Sequence, residues 1–278
     1  MRFATFNVLH GLPISDGRPA PFPGGDAGEP LARAVASLDA DVLALQELDR
    51  FQERSGRVDQ AAAAAAASGA RDWRYASAVH GSSVPGRGWV PDPAEPGLRV
   101  YGPRDAADGD GPPSHGTALA TRLPVREWRA RRLSPSPVGL PLRVPGLAGL
   151  RMMTDQPRCA LAAVLEGARG PFTVVAVHLS FVPGWNVGQL VAVRRWIAGL
   201  PRPHLLLGDL NLVGPVPPLA LGGAWRALAR TRTYPSHRPL VQFDHVLAAG
   251  LGRAAVRSAA APVVPVSDHR PLVVDLEL

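Results

Sequence analysis

LLLGDLNL, Leu205–Leu212, follows a run of leucines with an aspartate and an asparagine two residues apart. The leucines read as a strand, and Gly208 permits a close backbone approach. A strand that merely stops would leave Asp209 and Asn211 as an Asx turn. A strand that reaches a cleft would deliver both side chains to it. If strand geometry continues through both residues, they point to the same face.

The pattern recurs along the chain. TFNVLHG carries Asn7 in an apolar stretch, VLALQELD carries Gln46 and Glu47, and VVAVHLS ends near His178. VQFDHVL sets Asp244 between Phe243 and His245, and VPVSDHRPLVVDLEL places Asp268 and His269 before a final strand. Turn, core and solvated-face explanations exist for each alone. Together they are costly unless these groups satisfy one another or a ligand. Carboxylate and carboxamide oxygens without thiolates suit a hard cation, Mg²⁺ or Mn²⁺. Histidines beside them can bind an anionic oxygen or move a proton. In an extended segment Asp268 and His269 would diverge, one toward metal and the other toward substrate.

Composition narrows the classes. The chain has 278 residues, 46% of them apolar, enough for a substantial core. Its apolar runs fall short of the roughly 20 residues needed to span a bilayer. MRFATFNVLHG reads as a strand and not as a signal peptide. A soluble, cytoplasmic protein without stable membrane insertion is expected. Cys159 is the only cysteine, which excludes intrachain disulfides and points to a buried, inert thiol. The net charge of +7 would suit an anionic partner, but its origin is a lysine-free, Arg-, Ala-, Gly- and Pro-rich composition. Without lysine there is no Walker-type phosphate loop, Schiff base or Ser-Lys dyad; GxSxG and HExxH are also absent.

Residues 2–9, 41–48, 73–79, 116–122, 172–180, 204–210, 242–247 and 271–278 read as strands. Residues 31–38, 59–68 and 186–200 read as helices, the second built around seven alanines at 61–67. No linker or solenoid-length repeat is evident, so residues 1–278 are expected to form one domain. Three Pro/Gly-rich stretches, 11–30, 81–114 and 134–149, read as long loops. The middle one holds Arg87, Trp89, Arg99, Tyr101 and Arg104, which fit either a phosphate-bearing ligand or a surface loop.

TFNVLHG, LALQELD, HGTALATRLPV, VVAVHLS, GDLN, FDHVL and SDHRPLVVDLEL occur in this order across the whole chain. In that order they resemble the endonuclease/exonuclease/phosphatase superfamily, which includes DNase I-like nucleases, inositol-polyphosphate phosphatases and neutral sphingomyelinases. The resemblance implies an α+β fold of DNase I type. This is a four-layer α/β sandwich, with two mostly antiparallel sheets face to face and helices outside. It implies Glu47 as the principal metal ligand, with Asn7 and Asp268 completing or supporting the metal site. Asp209 would orient and deprotonate water, or hold a second metal. Asn211 and His178 would contact phosphate oxygens, as would His269, held by Asp244. Arg122 matches the family's usual arginine, a candidate substrate contact whose role could also be structural. Thr117 departs from the asparagine common in relatives, and His10 and His115 read as surface histidines.

The expected activity is divalent-metal-dependent phosphoester hydrolysis by water. A phosphodiesterase or nuclease acting on nucleic acid or a nucleotide is placed first. A phospholipid, sphingolipid or inositol-phosphate esterase is the alternative, and SFVPGWN after His178 could touch a headgroup or simply turn the chain. An inactive binding protein is the third reading, disfavoured by the presence of Glu47, Asp209 and His269. No obligate protein partner is evident.

Overall fold

The computed structural model describes residues 1–22, 28–84, 87–94, 97–105, 111–142, 149–252 and 255–278. The chain starts with β1 (Arg2–Asn7) and a short hairpin, β2 (Ile14–Ser15) with β3 (Arg18–Pro19). Helix α1 (Glu29–Leu38) leads to β4 (Val42–Arg50), and α2 (Gln60–Ser68) to the long β5 (Asp72–Val84). Then come β6 (Gly88–Pro91), β7 (Arg99–Tyr101) and β8 (Ser114–Thr121). β9 (Val125–Leu133), the hairpin β10 (Leu140–Leu142) with β11 (Arg151–Met153), β12 (Arg158–Gly167) and β13 (Gly170–His178) precede α3 (Trp185–Trp196). The remainder is β14 (His204–Asp209), α4 (Val216–Leu221), β15 (Trp225–Ala227), β16 (Asp244–Ala249), β17 (Val256–Ala260) and β18 (Leu272–Leu276).

One sheet runs β17-β18-β1-β4-β8-β5-β6, with β7 also on β5; the other runs β15-β16-β14-β13-β12-β9. Each contains one parallel pair among antiparallel neighbours, β1 with β4 and β13 with β14. A parallel pair needs a crossover, and α1 and α3 supply them. Both pairs end at the same place: Asn7 is in register with Gln46, and His178 with Asp209.

Strand parity builds the layers. Val42 and Ala44 face inward with Phe3, Leu161, Val174, Leu205, Leu207 and Val246, forming the core between the sheets. Leu43 and Leu45 face outward onto Leu31, Ala34, Val35 and Leu38 of α1 and Ala61, Ala64 and Ala65 of α2. Leu206 faces outward onto Leu190 and Val193 of α3. The leucines of the 205–207 run therefore serve two cores, and each fully buried leucine stabilises the fold by about 1.5–3 kcal/mol. This is the expected four-layer α+β sandwich. The i, i+3, i+4, i+7 stripe of α1 fits a single core-facing stripe. In α2 the Asp59 side chain accepts from the Ala62 N–H at 3.0 Å, and Gly69, at φ +67°, ends the alanine run.

In the two large sheets β9, β12, β15 and β17 were not expected from the sequence, and neither were the β2–β3 and β10–β11 hairpins. The stretch 81–114, read as a loop, contains the end of β5, all of β6 and β7, and a short 3₁₀ turn. Its residues 85–86, 95–96 and 106–110 lie outside the described residues, as do 23–27 and 143–148 of the other two loop stretches. Helix α3 stops at Trp196, and Ile197–Leu200 form its closing turn. Cys159 is buried; its thiol donates to the Ala76 carbonyl at 3.0 Å, and burial pushes its pKa up to about 11. Among the described residues no helix is long and apolar enough to cross a membrane.

Candidate active site

Inward parity carries β1, β13, β14 and β16 to one end of the sandwich. Asn7 continues the face of Phe3, His178 that of Val174 and Ala176, Asp209 that of Leu205 and Leu207, and Asp244 that of Val246. Asn7, His178 and Asp209 emerge where the two sheets open onto a cleft, with Asp244 buried behind them. Glu47 is different, because parity would turn it outward with Leu43 and Leu45. The β4–β8 register shifts between Leu45 and Leu48, and Glu47 has φ +58°. This bulge swings its carboxylate into the cleft. Positive φ recurs at Asn211 (+49°) and at Ser267 (+72°), next to Asp268. Three strained backbone positions thus border the cleft.

Asn7 joins the sheets. Its Nδ2 donates to Glu47 Oε1 and to Asp209 Oδ2, 3.0 Å each. Its Oδ1 is turned away and accepts from the Leu9 N–H at 3.1 Å. In this geometry Asn7 bridges the two carboxylates through its amide nitrogen, with its oxygen turned to the chain that follows β1. Burial pushes the Glu47 carboxyl up, but His178, His115, the Asn7 hydrogen bond and Arg158 outweigh it and hold the pKa at about 2. Glu47 therefore stays ionised throughout the working pH range.

The strand through LLLGDLNL ends at Asp209 and does not run on through Asn211. Asp209 Oδ1 accepts from the Asn211 N–H at 2.9 Å, so the Asx turn is real. The turn aims Asn211 Nδ2 to donate to the Leu179 carbonyl at 3.1 Å and sets the carboxamide beside His178, 3.3 Å from its Nε2. Asn186 Nδ2 donates to the Asn211 carbonyl and fixes the turn from α3. The turn reading and the cleft reading therefore both apply.

His269 sits between two carboxylates. Its Nδ1 is 2.8 Å from Asp244 Oδ2, and its Nε2 is 3.8 Å from Asp209 Oδ2. Burial lowers its pKa, but Asp244, Asp209 and Asp268 prevail and raise it to about 10. Burial raises Asp209 to about 6; His269 counters this, and Asp244 adds to it. Tyr234 packs on the imidazole, with ring centroids 4.9 Å apart and Phe243 behind. Ser267 Oγ donates to the Asn7 carbonyl at 2.6 Å and accepts from the His269 N–H at 3.0 Å. That bond ties the segment holding Asp268 and His269 to β1.

His178 closes the other side. Its Nε2 lies 3.6 Å from Asp209 Oδ2 and 4.0 Å from Glu47 Oε1. Its Nδ1 is 3.1 Å from Arg158 Nη1. Guanidinium only donates, so Nδ1 accepts and the ring proton sits on Nε2, aimed at the cleft. Burial and Arg158 drive its pKa well below the usual imidazole value. One histidine of the site is thus neutral and the other cationic.

Asp268 lines the same cleft, of about 770 Å³, as Asn7, Glu47, Asp209, Asn211, His178 and His269. Its carboxyl is pushed up by burial, pulled down by His269 and pushed up again by Glu47. Two converging, mutually repelling carboxylates fit a hard divalent cation. Asp209, Asp244 and His269 also offer ligand atoms within 4.8 Å of one another, close enough to hold a metal ion. Here Asp244 is already bonded to the His269 ring.

Arg122 is not brought to the cluster. It follows β8 at the opposite end of the sheet, where it donates to the Ser68 carbonyl and Asp39 Oδ1. Its backbone N–H bonds to Asp41, and Thr121 pairs with Val42, so the length of β4 separates it from Glu47. The substrate-contact expectation for Arg122 is corrected to a structural one. His115 is not a surface residue: its side chain is 15% exposed and its Nδ1 lies 2.7 Å from buried Asp49, which Arg54 also grips. His10 is held down to about 4 by burial, then Arg54. Arg158, Tyr234, Ser267 and the Asp49 cluster were missed. Only Arg158 carried a signal, as a lone cation opening the apolar run RCALAAVLEG.

The sequence model of the Endonuclease/Exonuclease/phosphatase family matches residues 4–269. Solved structures share the fold over the whole chain. An endonuclease/exonuclease/phosphatase from Beutenbergia cavernae is 22% identical, with TM-score 0.62 over 100% of this chain and 71% of that one. A mannosyl-6-phosphatase from Bacteroides thetaiotaomicron is 16% identical, with TM-score 0.57 and 100% of both chains covered. D. rerio TDP2, in complex with a single-strand DNA product, is 14% identical, with TM-score 0.56 over 100% of this chain and 99% of that one. No curated protein matches the sequence. Matched over nearly its whole length, the chain belongs to the endonuclease/exonuclease/phosphatase family.

Proposed function

We propose that this phosphoester hydrolase is a phosphodiesterase that uses Mg²⁺ or Mn²⁺ and acts as one catalytic domain. One observation carries the reading. Glu47, Asp209, His178 and His269, from four separated segments, converge within about 4 Å steps of one another. Glu47 and Asp268 would hold the cation, with Asn7 keeping Glu47 and Asp209 in place. When bound, the cation neutralises charge on the phosphoryl group and on the departing oxygen. Asp209, with a pKa near neutrality, takes the proton from the attacking water. Protonated His269 donates to a phosphate oxygen, oriented by Asp244 through Nδ1. Neutral His178 offers its Nε2–H from the opposite side, and Asn211 adds its carboxamide. All these donors are fixed before substrate arrives, which is where such sites gain most of their rate.

The test is hydrolysis of a phosphoester panel with Mg²⁺, Mn²⁺ or EDTA, with Asp209→Asn as control. Plasmid DNA, RNA, nucleotides, sphingomyelin, inositol phosphates and bis(p-nitrophenyl) phosphate form the panel. Metal-dependent turnover lost in the control is expected. Turnover that survives EDTA, or that persists in Asp209→Asn, contradicts the assignment.

A further inference from the structure

Two kinds of polar side chain line the cleft. Some serve the cation, the water and the phosphate. Others, Asn7, Arg158 and Asn186, donate to groups of the protein itself. Tyr234 does neither. It lines the same cleft, and among the described residues its hydroxyl has no hydrogen-bond partner. A tyrosine is an apolar ring with a polar tip, and packing alone would need only the ring.

The ring is fixed by its surroundings. It packs on the His269 imidazole with centroids 4.9 Å apart, and on Phe243 at 5.5 Å. The Tyr234 N–H donates to the Val241 carbonyl at 3.0 Å, and the Tyr234 carbonyl accepts from the Leu240 N–H at 2.8 Å. One residue before it, the Thr233 carbonyl accepts from the Arg270 N–H at 2.8 Å. Two residues after it, the Ser236 N–H donates to the Asp268 carbonyl at 2.6 Å. The turn that carries Tyr234 is therefore tied to the segment that carries Asp268 and His269. Tyr234 keeps its place beside His269 before substrate arrives, as an effective donor to a reacting phosphate must.

The direction of the hydroxyl follows from charge. Burial raises the pKa of the phenol, and Asp268, Asp209 and Glu47 raise it further. Those three carboxylates line the cleft. Coulombic influence fades with distance, so the polar tip of the ring lies toward them. The same influence keeps the phenol protonated, which makes it a hydrogen-bond donor and not a nucleophile.

Resting on the phosphodiesterase reading, we propose that Tyr234 is a further catalytic residue, whose hydroxyl donates a hydrogen bond to a nonbridging phosphate oxygen on the His269 side of the cleft. His269 and Tyr234 then stand side by side as one cationic and one neutral donor. The phenol keeps its proton throughout, and no covalent bond forms or breaks at Tyr234. The carboxylates of the cleft repel a phosphate, and a donor standing among them offsets part of that repulsion.

Tyr234→Phe removes the hydroxyl and keeps the ring, so the stack on His269 and the fold survive. Two measurements on this variant test the contact. In the first, kcat/KM for bis(p-nitrophenyl) phosphate with Mn²⁺ should fall roughly 10–100-fold, as for one donor lost from a charged acceptor. Unchanged turnover overturns the proposal yet leaves the phosphodiesterase reading intact. In the second, binding of inorganic phosphate in the presence of Mg²⁺ is followed by calorimetry. The variant should bind roughly tenfold more weakly than wild type. Equal affinity would place the hydroxyl away from the phosphate and overturns the proposal even if turnover falls, as does a wild type that binds no phosphate. A wild type that binds phosphate but does not turn over bis(p-nitrophenyl) phosphate counts against the phosphodiesterase reading instead, and the affinity difference still decides the contact.

Discussion

Asp209 and Asp244 are register partners across β14 and β16, and both are buried. Like charges directly opposite in a sheet repel, and burial makes the repulsion costlier. His269 relieves it by standing close to both, 2.8 Å from Asp244 and 3.8 Å from Asp209. The three groups share one proton inventory, and much of the site's pH behaviour follows from it.

In the activity profile, kcat/KM for bis(p-nitrophenyl) phosphate should fall on the acid side at or below about pH 6, as Asp209 protonates. The alkaline fall should come near pH 10, as His269 loses its proton. Asp244→Asn removes the main support for the imidazolium. Its alkaline fall should move down by a few pH units, toward about 6.5, the ordinary histidine value. An unmoved alkaline limb would separate Asp244 from His269 function.

Stability should follow the same groups. His269 has a raised pKa, so its contribution is full below about pH 6.5 and is lost as pH rises through about 10. The Asp209 pKa is also raised, so its contribution is full below about pH 4 and is lost through about 6. Above about pH 7, where the buried neutral His10 and His178 no longer change protonation state, thermal melts in EDTA should therefore decline toward pH 10. His269→Gln should flatten the upper half, a change on the order of a few kcal/mol. Parallel curves for the two proteins would contradict this linkage.

Glu47→Gln keeps the side chain's size and removes its charge. The expected result is a Tm within a few degrees of wild type in EDTA, but little or no rise on adding Mn²⁺. A wild-type Mn²⁺ shift in this variant would move the cation site away from Glu47.

Arg158→Gln should lower kcat by roughly 10–100-fold while leaving the Mn²⁺ shift in place, because it frees His178 from its fixed tautomer. Asp155, buried beside Arg158 with Nε and Oδ1 4.0 Å apart, loses its cation in the same variant. A stability loss of about 1–3 kcal/mol should accompany it. Unchanged kcat would show that His178 needs no such orientation.

Gly208→Ala tests the backbone approach within LLLGDLNL. A Cβ there would lie 1.8 Å from the Val177 carbonyl oxygen, in the parallel pair that carries His178 and Asp209. The two strands must separate locally to accept it. Unfolding in urea should show a loss of about 3 kcal/mol or more.

What the sequence disclosed was chemistry at strand ends, because apolar runs broken by Asn7, His178, Asp209 and Asp244 are conspicuous. What it hid has physical reasons. β9, VREWRARRL, is an edge strand whose charges protect an exposed edge, so it lacks a strand's apolar signature. β12, RCALAAVLEG, is alanine-rich and buried between β13 and β9; burial on both faces removes the alternation that would mark a strand. Glu47 was recognised from its motif, but its direction was not legible, since parity points it outward and only the bulge reverses it. Arg122 was misplaced because a motif match carries no position in space. Asn211 was left open between an Asx turn and a continued strand, a choice made by the Asp209 carboxylate accepting from the Asn211 N–H, which no sequence pattern displays.

The Asn7 amide has a consequence beyond catalysis. It grips Glu47 in one sheet and Asp209 in the other. The second sheet is one uninterrupted insertion, from β9 to β16, within the chain of the first. Half of the reacting groups therefore belong to an inner stretch of sequence and half to the two flanking stretches. Neither half is a diminished enzyme by itself, and the two must dock to the width of a hydrogen bond before any turnover begins. Restored turnover would thus act as a gauge of correct assembly between separately made pieces.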